Sequence, residues 1–449
     1  MSTSAPPRQG AWRHRAWIVA AITLGALVAG SSFRSSTGVL MEPMESEFGW
    51  SRTVTSGAVT ANLVLYGLTA PFAAALMERF GIRRVVSLAL VVVGLGSLLT
   101  CVMTAIWQLW LLWGVAIGVG TGCMALVFGA IVANRWFVAH RGLVMGVFSA
   151  GNALGQLAFL PLIAAAAAGP GWRFAAAVVA ALALILVVPV WLFLRDHPHE
   201  VGTTAYGAPP EEPTPEIGVT TDLPAPPLPP EPADHPARIA VDTLRGVLRS
   251  WTFWALAGTF FVCGWSTNGL IQTHFVPAAH DHGMPPTTAA WLLALVGLFD
   301  VVGTIASGWL TDRVDARWLL AAYYSLRGLS LLILPALWAP HVAPGMWVFI
   351  VFYGLDWVAT VPPTVALCRE HFGLQRSSVV FGWVFASHMV GAGVGASAAG
   401  WIRATQGDYR LAWWTAGALC LAAAVVAAMI PRIRDHRHDH QLSPVDSGG

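Results

Sequence analysis

The chain contains no lysine, and charged residues of every kind are scarce. All 25 basic residues are arginine, and only 11% of the residues are charged, whereas a soluble domain carries about 25%. Because a Walker loop needs a lysine, this absence excludes the standard nucleotide site of an ATP-driven pump. The esterase motif G-x-S-x-G and the zinc motif H-E-x-x-H are missing too. We therefore expect neither an enzyme nor a bound metal or cofactor.

Cysteine is also rare, with five residues that lie far apart and form no C-x-x-C pair. This spacing is typical neither of a disulfide framework nor of a metal site. The net charge of +2 is small, and we expect no nucleic-acid partner. We interpret the cysteines as small packing residues, mostly inside apolar segments: Cys101, Cys123, Cys263, Cys368 and Cys420.

Apolar sequence, by contrast, is abundant. Hydrophobic residues make up 56% of the chain, and the mean hydropathy is +0.63. A segment of about 20 apolar residues is long enough to cross the hydrocarbon of a bilayer. The sequence therefore predicts an all-α membrane protein with twelve spans, at residues 16–40, 54–77, 84–106, 109–133, 142–167, 172–194, 251–277, 287–310, 318–338, 345–367, 378–402 and 411–431.

These spans divide the chain into five predicted segments. The middle of the polar stretch between the sixth and seventh spans, from Ala208 to Pro230, is rich in proline and cannot bury a core. We expect it to be an extended connection rather than a docking ligand. The segments are a cytoplasmic N-terminus (1–15), an N-terminal six-helix half (16–195), a cytoplasmic linker (196–249), a C-terminal six-helix half (250–431) and a cytoplasmic tail (432–449).

The distribution of arginine predicts the orientation. If the loops alternate between the two sides of the membrane, one side receives only Arg52, Arg173, Arg403 and Arg410, and nearly all other arginines fall on the opposite side. The positive-inside rule places the arginine-rich side in the cytoplasm. We therefore expect a multi-pass protein of the cell (inner) membrane, with both termini in the cytoplasm.

The two halves carry the same loop motif. Glu78, Arg79 and Arg83 follow the second span, and Asp312, Arg313 and Arg317 follow the eighth span with the same spacing. Gly49 and Gly283 are separated by the same number of residues as Glu78 and Asp312. Internal repeats in a membrane protein are typical of transporters that move two halves around a central site.

At these residues the chain resembles the major facilitator superfamily. Its signature is a loop G-x-x-x-[DE]-R-x-G-x-[RK]-[RK] between helices two and three, with a weaker copy between helices eight and nine. The first glycine is Ala74 in the first copy and Gly308 in the second. The resemblance implies the major facilitator fold, with two pseudo-symmetric six-helix halves. We expect a monomer surrounded by membrane lipid, in which the two loops act as latches that hold the cytoplasmic side closed.

Further motifs resemble the monocarboxylate-porter and oxalate/formate-exchanger branch. These are Phe48-Gly49-Trp50-Ser51-Arg52, Trp136-Phe137 followed by Arg141-Gly142, and Arg195-Asp196 with Val201-Gly202. In monocarboxylate transporters, a cation in helix one and an acid followed four residues later by arginine in helix eight carry carboxylate and proton. Arg34 resembles the cation of helix one, and Asp300 resembles the acid of helix eight. Thr304 occupies the position of the arginine that follows this acid.

Five ionisable residues lie in the interior of predicted spans, away from the span ends, where a charge costs at least about 2.5 kcal/mol and therefore points to a function or to a pairing. Arg34 either binds a substrate carboxylate through its planar donors or neutralises another charge. Asp300 either carries a proton or forms a fixed ion pair with Arg34 or Arg327. Arg327 lies on helix nine, which the resemblance implies is a supporting helix, and this favours a structural pairing with Asp356 or Asp300.

The remaining candidates are Asp356, His388 and Asn152. Asp356 precedes Pro362 and Pro363, which lack backbone donors, so we expect a broken turn whose carbonyl groups are satisfied by neighbouring polar groups. His388 titrates near neutral pH, and its role is either proton relay or packing. Asn152, in a glycine-rich stretch of helix five, is a further candidate for the cavity wall.

These features lead to one functional hypothesis and two rivals. We expect a secondary active transporter that moves a small organic anion, a mono- or dicarboxylate, with the proton as coupling ion. The sequence fixes neither symport nor antiport. The first rival is a proton-coupled exporter of amphipathic drugs, for which a large apolar cavity with Asp300 would suffice. The second is a membrane sensor that transports nothing, although the linker offers no folded output domain.

Overall fold

A computed structural model describes residues 14–208 and 235–432, apart from some side chains within the helices. Its secondary structure is almost entirely helical. In the N-terminal half the helices are α1 (Arg15–Phe48), α2 (Arg52–Phe80), α3 (Ile82–Thr100), α4 (Ile106–Trp136), α5 (Arg141–Ala168) and α6 (Trp172–Phe193).

The C-terminal half repeats this arrangement. It contains α7 (251–281), α8 (Pro286–Thr311), α9 (Ala316–Ile333), α10 (Pro344–Asp356 and 361–372), α11 (374–406) and α12 (Arg410–Ala428). The helical stretch Val361–Gln406 is divided between α10 and α11 at Gly373, whose φ of 73° and ψ of 165° lie outside the helical region. The twelve predicted spans thus correspond to twelve helices of the described residues.

By length and hydropathy, nine stretches of the described residues qualify as candidate membrane spans, and one of them, Pro344–Gln406, contains both α10 and α11. The set omits α5, several of whose side chains are not described, and α7, which a π-helical segment interrupts at Trp265–Ile271. Both pack inside the bundle, α5 against α1 and α8, and α7 against α11. We therefore count them with the spans.

The packing of the helices shows the two-fold repeat directly. In the N-terminal half α1 packs on α5, α3 on α6, and α2 on α4; in the C-terminal half α7 packs on α11, α9 on α12, and α8 on α10. The left-handed glycines are repeated too, because Gly49 ends α1 with φ of 65° and Gly283 follows α7 with φ of 81°. This is the major facilitator fold that the sequence predicts.

The two halves meet along two further helix pairs, α5 with α8 and α2 with α11. A β-carbon at Gly146 or Gly308 would collide with backbone of the other helix, and one at Gly382 would collide with Pro71. Small residues let helix backbones approach this closely. Both contacts lie toward the side that carries most arginines, which we call the arginine-rich face; the opposite side is the arginine-poor face. The halves are therefore closed together at the arginine-rich face.

A helix break occurs at equivalent positions of the two halves. In α4 the helix is interrupted at Met124 and Ala125, and in α10 at residues 357–360. Met124 and Val358 are related by the same separation that relates Glu78 to Asp312. Only in α10 do two prolines follow the break.

The broken turn of α10 is held by side chains, as the sequence predicts. Pro362 and Pro363 lack the N–H groups that would bind the carbonyls of residues 358 and 359. Ser307 of α8 donates instead to the Ala359 carbonyl, at 2.5 Å. One guanidinium nitrogen of Arg327 donates to the carbonyls of Asp356 and Trp357, at 2.6 and 3.0 Å.

Arg327 is itself neutralised inside the bundle. Its Nε donates to Oδ2 of Asp356 at 2.7 Å, and the two side chains are 0% and 5% exposed. Its Nη1 lies 3.1 Å from the sulfur of Cys263, which lies 3.3 Å from Oγ1 of Thr360. The pair thus joins α9 to the broken turn of α10 and to α7.

The described parts of the linker pack against the arginine-rich face. Tyr206 exchanges backbone hydrogen bonds with Trp136 and Val138, at 2.8 Å each. A helix that the sequence analysis did not predict spans Pro236–Val247 and packs on both α2 and α11. Trp383 of α11 donates its indole N–H to the Ala240 carbonyl of this helix at 3.0 Å. The prediction of an extended proline-rich middle falls on residues outside the described part.

Removing either member of the buried pair leaves the other as an unpaired charge, at a typical cost of about 3–5 kcal/mol. We expect Arg327→Ala to cost more than Asp356→Ala, because it also removes the side-chain donor from two carbonyls of the broken turn, those of Asp356 and Trp357. Thermal unfolding of both variants in detergent measures the difference.

The exposed pair formed by Arg403 and Asp281, with Nε and Oδ2 2.7 Å apart, is the matched control. Because solvent screens it, replacing either member with alanine should leave the unfolding temperature close to that of the wild type. Equal losses for Arg327→Ala and Asp356→Ala would contradict the role of Arg327 at the broken turn.

Candidate functional site

A cavity of about 400 Å³ lies between the halves, with most of its wall in the C-terminal half. It reaches Gln272 of α7 and Ala290 of α8, both exposed residues in the half of the bundle nearer the arginine-poor face. Because the halves are in contact at the other face, the cavity belongs to a conformation that is closed toward the arginine-rich side.

The wall of the cavity is mainly apolar and aromatic. Tyr66 of α2 and Phe385 of α11 pack edge to face with ring centres 5.7 Å apart, and Phe260 and Trp357 add further rings. Amid this surface lies a small polar set, which is the usual composition of a small-molecule site. Its members are Asn152, Thr267, Asn268, Gln272, Asp300 and His388.

The π-helical segment of α7 places part of this polar set. Thr267 and Asn268 lie within Trp265–Ile271, and both line the cavity. Gly264 and Gly269 flank them and approach the backbone of α11 so closely that a β-carbon at either position would collide with it. Single-turn π segments are often found at functional sites because they redirect side chains within a helix.

Asp300 is the one acidic residue in the described cavity wall, and it is 0% exposed. Its Oδ1 accepts hydrogen bonds from Thr304 Oγ1 at 2.7 Å and from the backbone N–H of Val358 at 2.9 Å. No described group donates to its Oδ2. Among the described residues it forms no ion pair with Arg327, which is bonded to Asp356 instead.

His388 and Asn152 also lie in the wall, and both are half-buried. The His388 ring packs between Phe260 and Phe385, with ring centres 4.8 and 5.9 Å away, and no described group bonds its Nδ1. The backbone carbonyl of Asn152 accepts from Ser31 Oγ of α1 at 2.5 Å. The structure thus brings Asp300, His388 and Asn152 to one cavity.

The remaining candidates lie elsewhere. Arg327 and Asp356 sit behind the wall at the broken turn of α10 and are not among the residues that line the cavity. Arg34 belongs to α1, one turn beyond Ser31, and its side chain lies outside the described part of the structure.

Several residues at the site were missed by the sequence analysis. Cys263, taken as an apolar packing residue, contacts Arg327 and Thr360 and lines the cavity. Ser307 carries no signal in the sequence, because a serine inside an apolar span usually bonds its own helix. Asn268 and Gln272 could have been found, since two amides four residues apart share one face of a helix.

Asp312, one of the six loop residues, forms two hydrogen bonds with the opposite half. Its Oδ1 accepts from the N–H of Gly142 at 2.7 Å, and its Oδ2 accepts from that of Leu143 at 3.0 Å. These N–H groups belong to the first turn of α5, where the helix dipole favours a negative charge. Asp312 therefore caps a helix of the N-terminal half from the C-terminal half.

Glu78, in the other copy of the motif, has its partner in its own half. Its carboxylate pairs at 2.5 Å with Arg135, which lies near the end of α4. The arginines make local contacts. Arg79 and Arg313 stack on Phe80 and Trp309, Arg83 stacks on Trp191, and Arg317 pairs with Asp315 at 2.9 Å.

Comparison with solved structures shows the same architecture. The transporter FucP in the outward conformation superposes with a TM-score of 0.65 at 15% identity, covering 93% of this chain and 100% of FucP. The proton:xylose symporter XylE gives a TM-score of 0.65 at 14% identity, over 93% of this chain and 97% of XylE.

Sequence relatives point the same way. Monocarboxylate transporter 13 of Rattus norvegicus is 29% identical over 95% of this chain and 90% of the relative. The MFS-type transporter YcxA of Bacillus subtilis is 24% identical over 86% of this chain and 87% of its own length. The profile of the Major Facilitator Superfamily matches residues 22–278 and 266–446, which together are nearly the whole chain. The chain therefore belongs to the Major Facilitator Superfamily.

Proposed function

We propose that the protein moves a small organic anion, a mono- or dicarboxylate, across the cell (inner) membrane together with a proton. Alternating access of the central cavity to the two sides performs the transport. The described structure is the state closed at the arginine-rich face, which we assign to the cytoplasm by the positive-inside rule. Both termini then lie in the cytoplasm.

The observation that carries the proposal is the unpartnered oxygen of Asp300. A carboxylate buried without a cation costs several kcal/mol when ionised, and a proton removes that charge. Oδ2 is buried and bonded to no described group, while Oδ1 is held by Thr304 and Val358. The side chain is thus fixed in the cavity wall with one oxygen available for a proton.

The anion needs a cation, and Arg34 is the residue we propose for it. Its position on α1 is one turn beyond Ser31, which bonds the Asn152 backbone at the cavity. A guanidinium away from bulk water can meet a carboxylate with two parallel hydrogen bonds. Relatives named monocarboxylate transporters favour a carboxylate as the solute.

One observation favours a second candidate, an exporter of amphipathic cations. The described wall is largely apolar, includes four aromatic rings, and contains Asp300 but no described arginine. Binding of amines and of carboxylates by purified protein separates the two candidates. A suitable panel contains acetate, lactate, pyruvate, oxalate and 3-phenylpropionate, with phenethylamine as the cationic member. Ligands that bind the native state raise its unfolding temperature, which makes the panel quick to screen.

Replacing Asp300 with asparagine tests the proton coupling. We expect Asp300→Asn to abolish accumulation of the best-binding carboxylate driven by a pH gradient in proteoliposomes, because the side chain no longer binds a proton. Exchange of labelled for unlabelled solute moves no net proton and should continue. Uptake and exchange are both measured as radioactivity retained in the vesicles.

Asp281→Asn is the matched control, since Asp281 is paired with Arg403 at the outer ends of α7 and α11. It should leave both activities within about twofold of the wild type, because exposed pairs contribute little. If Asp300→Asn loses exchange together with accumulation, or keeps both, Asp300 does not carry the proton. Absence of any solute movement by the wild type would favour the sensor hypothesis.

We also propose that Asp312 is the latch of the arginine-rich face. Asp312→Asn keeps the shape but removes the charge that caps α5, so the closed state should lose about 1–2 kcal/mol, or roughly five- to thirtyfold in population. Spin labels at the exposed positions Val138 and Val314, one in each half, should report a larger fraction of long distances.

Glu78→Gln removes a charge from the other copy of the motif, where the pair with Arg135 stays within one half. It should leave the distance distribution between the two labels unchanged. Equal opening in both variants would show that net charge, and not the cap on α5, holds the face closed.

A further inference from the structure

The broken turn of α10 touches two parts of the proposed mechanism. On one side, the backbone N–H of Val358 donates to Oδ1 of Asp300 at 2.9 Å. On the other side, Trp357 and Val358 lie in the wall of the cavity. The same short stretch of backbone therefore contacts both the proposed proton carrier and the space proposed for the solute.

Two residues outside the cavity wall fix the carbonyl groups of this turn. Arg327 of α9 donates to the carbonyls of Asp356 and Trp357, and Ser307 of α8 donates to that of Ala359. Both side chains are buried. The Trp357 carbonyl shares a peptide plane with the Val358 N–H, so Arg327 fixes the direction in which that N–H points, and Ser307 holds the turn at the next residue, Ala359.

The equivalent break in α4 is built differently. At Met124 and Ala125 the hydrogen bonds of the described structure are backbone ones, to the carbonyls of Thr121 and Gly122 and from the N–H of Phe128. Among the residues described, side-chain donors to the backbone carbonyls and a carboxylate that accepts from the backbone are found at the break of α10 and not at the break of α4. The fold alone does not require them.

We propose that the broken turn of α10 couples protonation of Asp300 to the shape of the solute cavity, with Arg327 and Ser307 as its positioning residues. The proposal rests on the proposed role of Asp300 as proton carrier. A hydrogen bond from an N–H group to an ionised carboxylate is roughly twice as strong as one to a neutral acceptor. Protonation of Asp300 therefore weakens the restraint on Val358, and the turn carries Trp357 and Val358 to a different position in the wall.

The proposal predicts that solute affinity depends on pH and that Arg327 and Ser307 determine the size of this dependence. Affinities are measured by calorimetry at acidic and at alkaline pH, with the member of the carboxylate panel that binds the wild type most tightly. The wild type should bind more tightly at acidic pH. Ser307→Ala loosens the turn in both protonation states. The ratio of the Kd at alkaline pH to the Kd at acidic pH should therefore fall by about fivefold, the effect of one buried hydrogen bond.

Two further variants keep the test decisive. Ser307→Thr retains the hydroxyl and should retain the pH-dependent ratio. Arg327→Lys retains the charge but loses the planar fork, so its ratio should fall like that of Ser307→Ala. Ser330→Ala is the matched control, because Ser330 donates only to Leu326 within α9 and should leave the ratio unchanged.

An unchanged ratio in Ser307→Ala, or a loss of affinity that is equal at both pH values, would overturn the coupling role of the turn. The proposed function would then still stand. If Asp300→Asn keeps the wild-type pH dependence, or no carboxylate of the panel binds, the proposed function fails, and the inference about the turn fails with it.

Discussion

Hydrocarbon offers no hydrogen bonds, and each unpaired polar group inside it costs several kcal/mol. The buried hydrogen bonds around the broken turn of α10 follow from this constraint. Pro362 and Pro363 offer no N–H group to the carbonyls of Val358 and Ala359. Ser307 binds the Ala359 carbonyl, and Arg327 binds the carbonyls of Asp356 and Trp357 in the same broken turn. The charge of Arg327 in turn requires Asp356. Asp300 satisfies the Val358 N–H with one oxygen. Its other oxygen and Oδ1 of Asp356 have no described hydrogen-bond partner, but Asp356 is paired with Arg327 and Asp300 is not.

The two halves share one architecture but differ in chemistry. The same helix pairs form in each half, and α4 and α10 break at equivalent positions. The described polar residues of the cavity wall nevertheless come mainly from the C-terminal half. At the arginine-rich face the asymmetry continues, because Asp312 caps the opposite half while Glu78 pairs within its own. In the proposed function, the repeated fold provides the alternating access, and residues found in only one copy provide the coupling and the latch.

Much of this arrangement could be predicted from the sequence, and the limits have physical reasons. Span length and the repeated loop predicted the twelve helices and the fold, and the two prolines predicted the broken turn. The partner of Arg327 could not be chosen between Asp300 and Asp356, because that depends on helix rotation, which spacing alone does not determine. Ser307 and Cys263 were missed since each resembles an ordinary packing residue until its contacts are known. The partner of Glu78 could not be predicted either, because its pairing with Arg135 depends on how α2 and α4 pack.

Calorimetry of carboxylate binding in buffers of different ionisation enthalpy tests the link between solute and proton most directly. The heat exchanged with the buffer gives the number of protons taken up with each solute molecule. At alkaline pH, where the free protein holds Asp300 ionised, the wild type should take up one proton per carboxylate bound, and Asp300→Asn should take up none. Binding without proton uptake by the wild type, or the same uptake by Asp300→Asn, would contradict proton-coupled transport through Asp300.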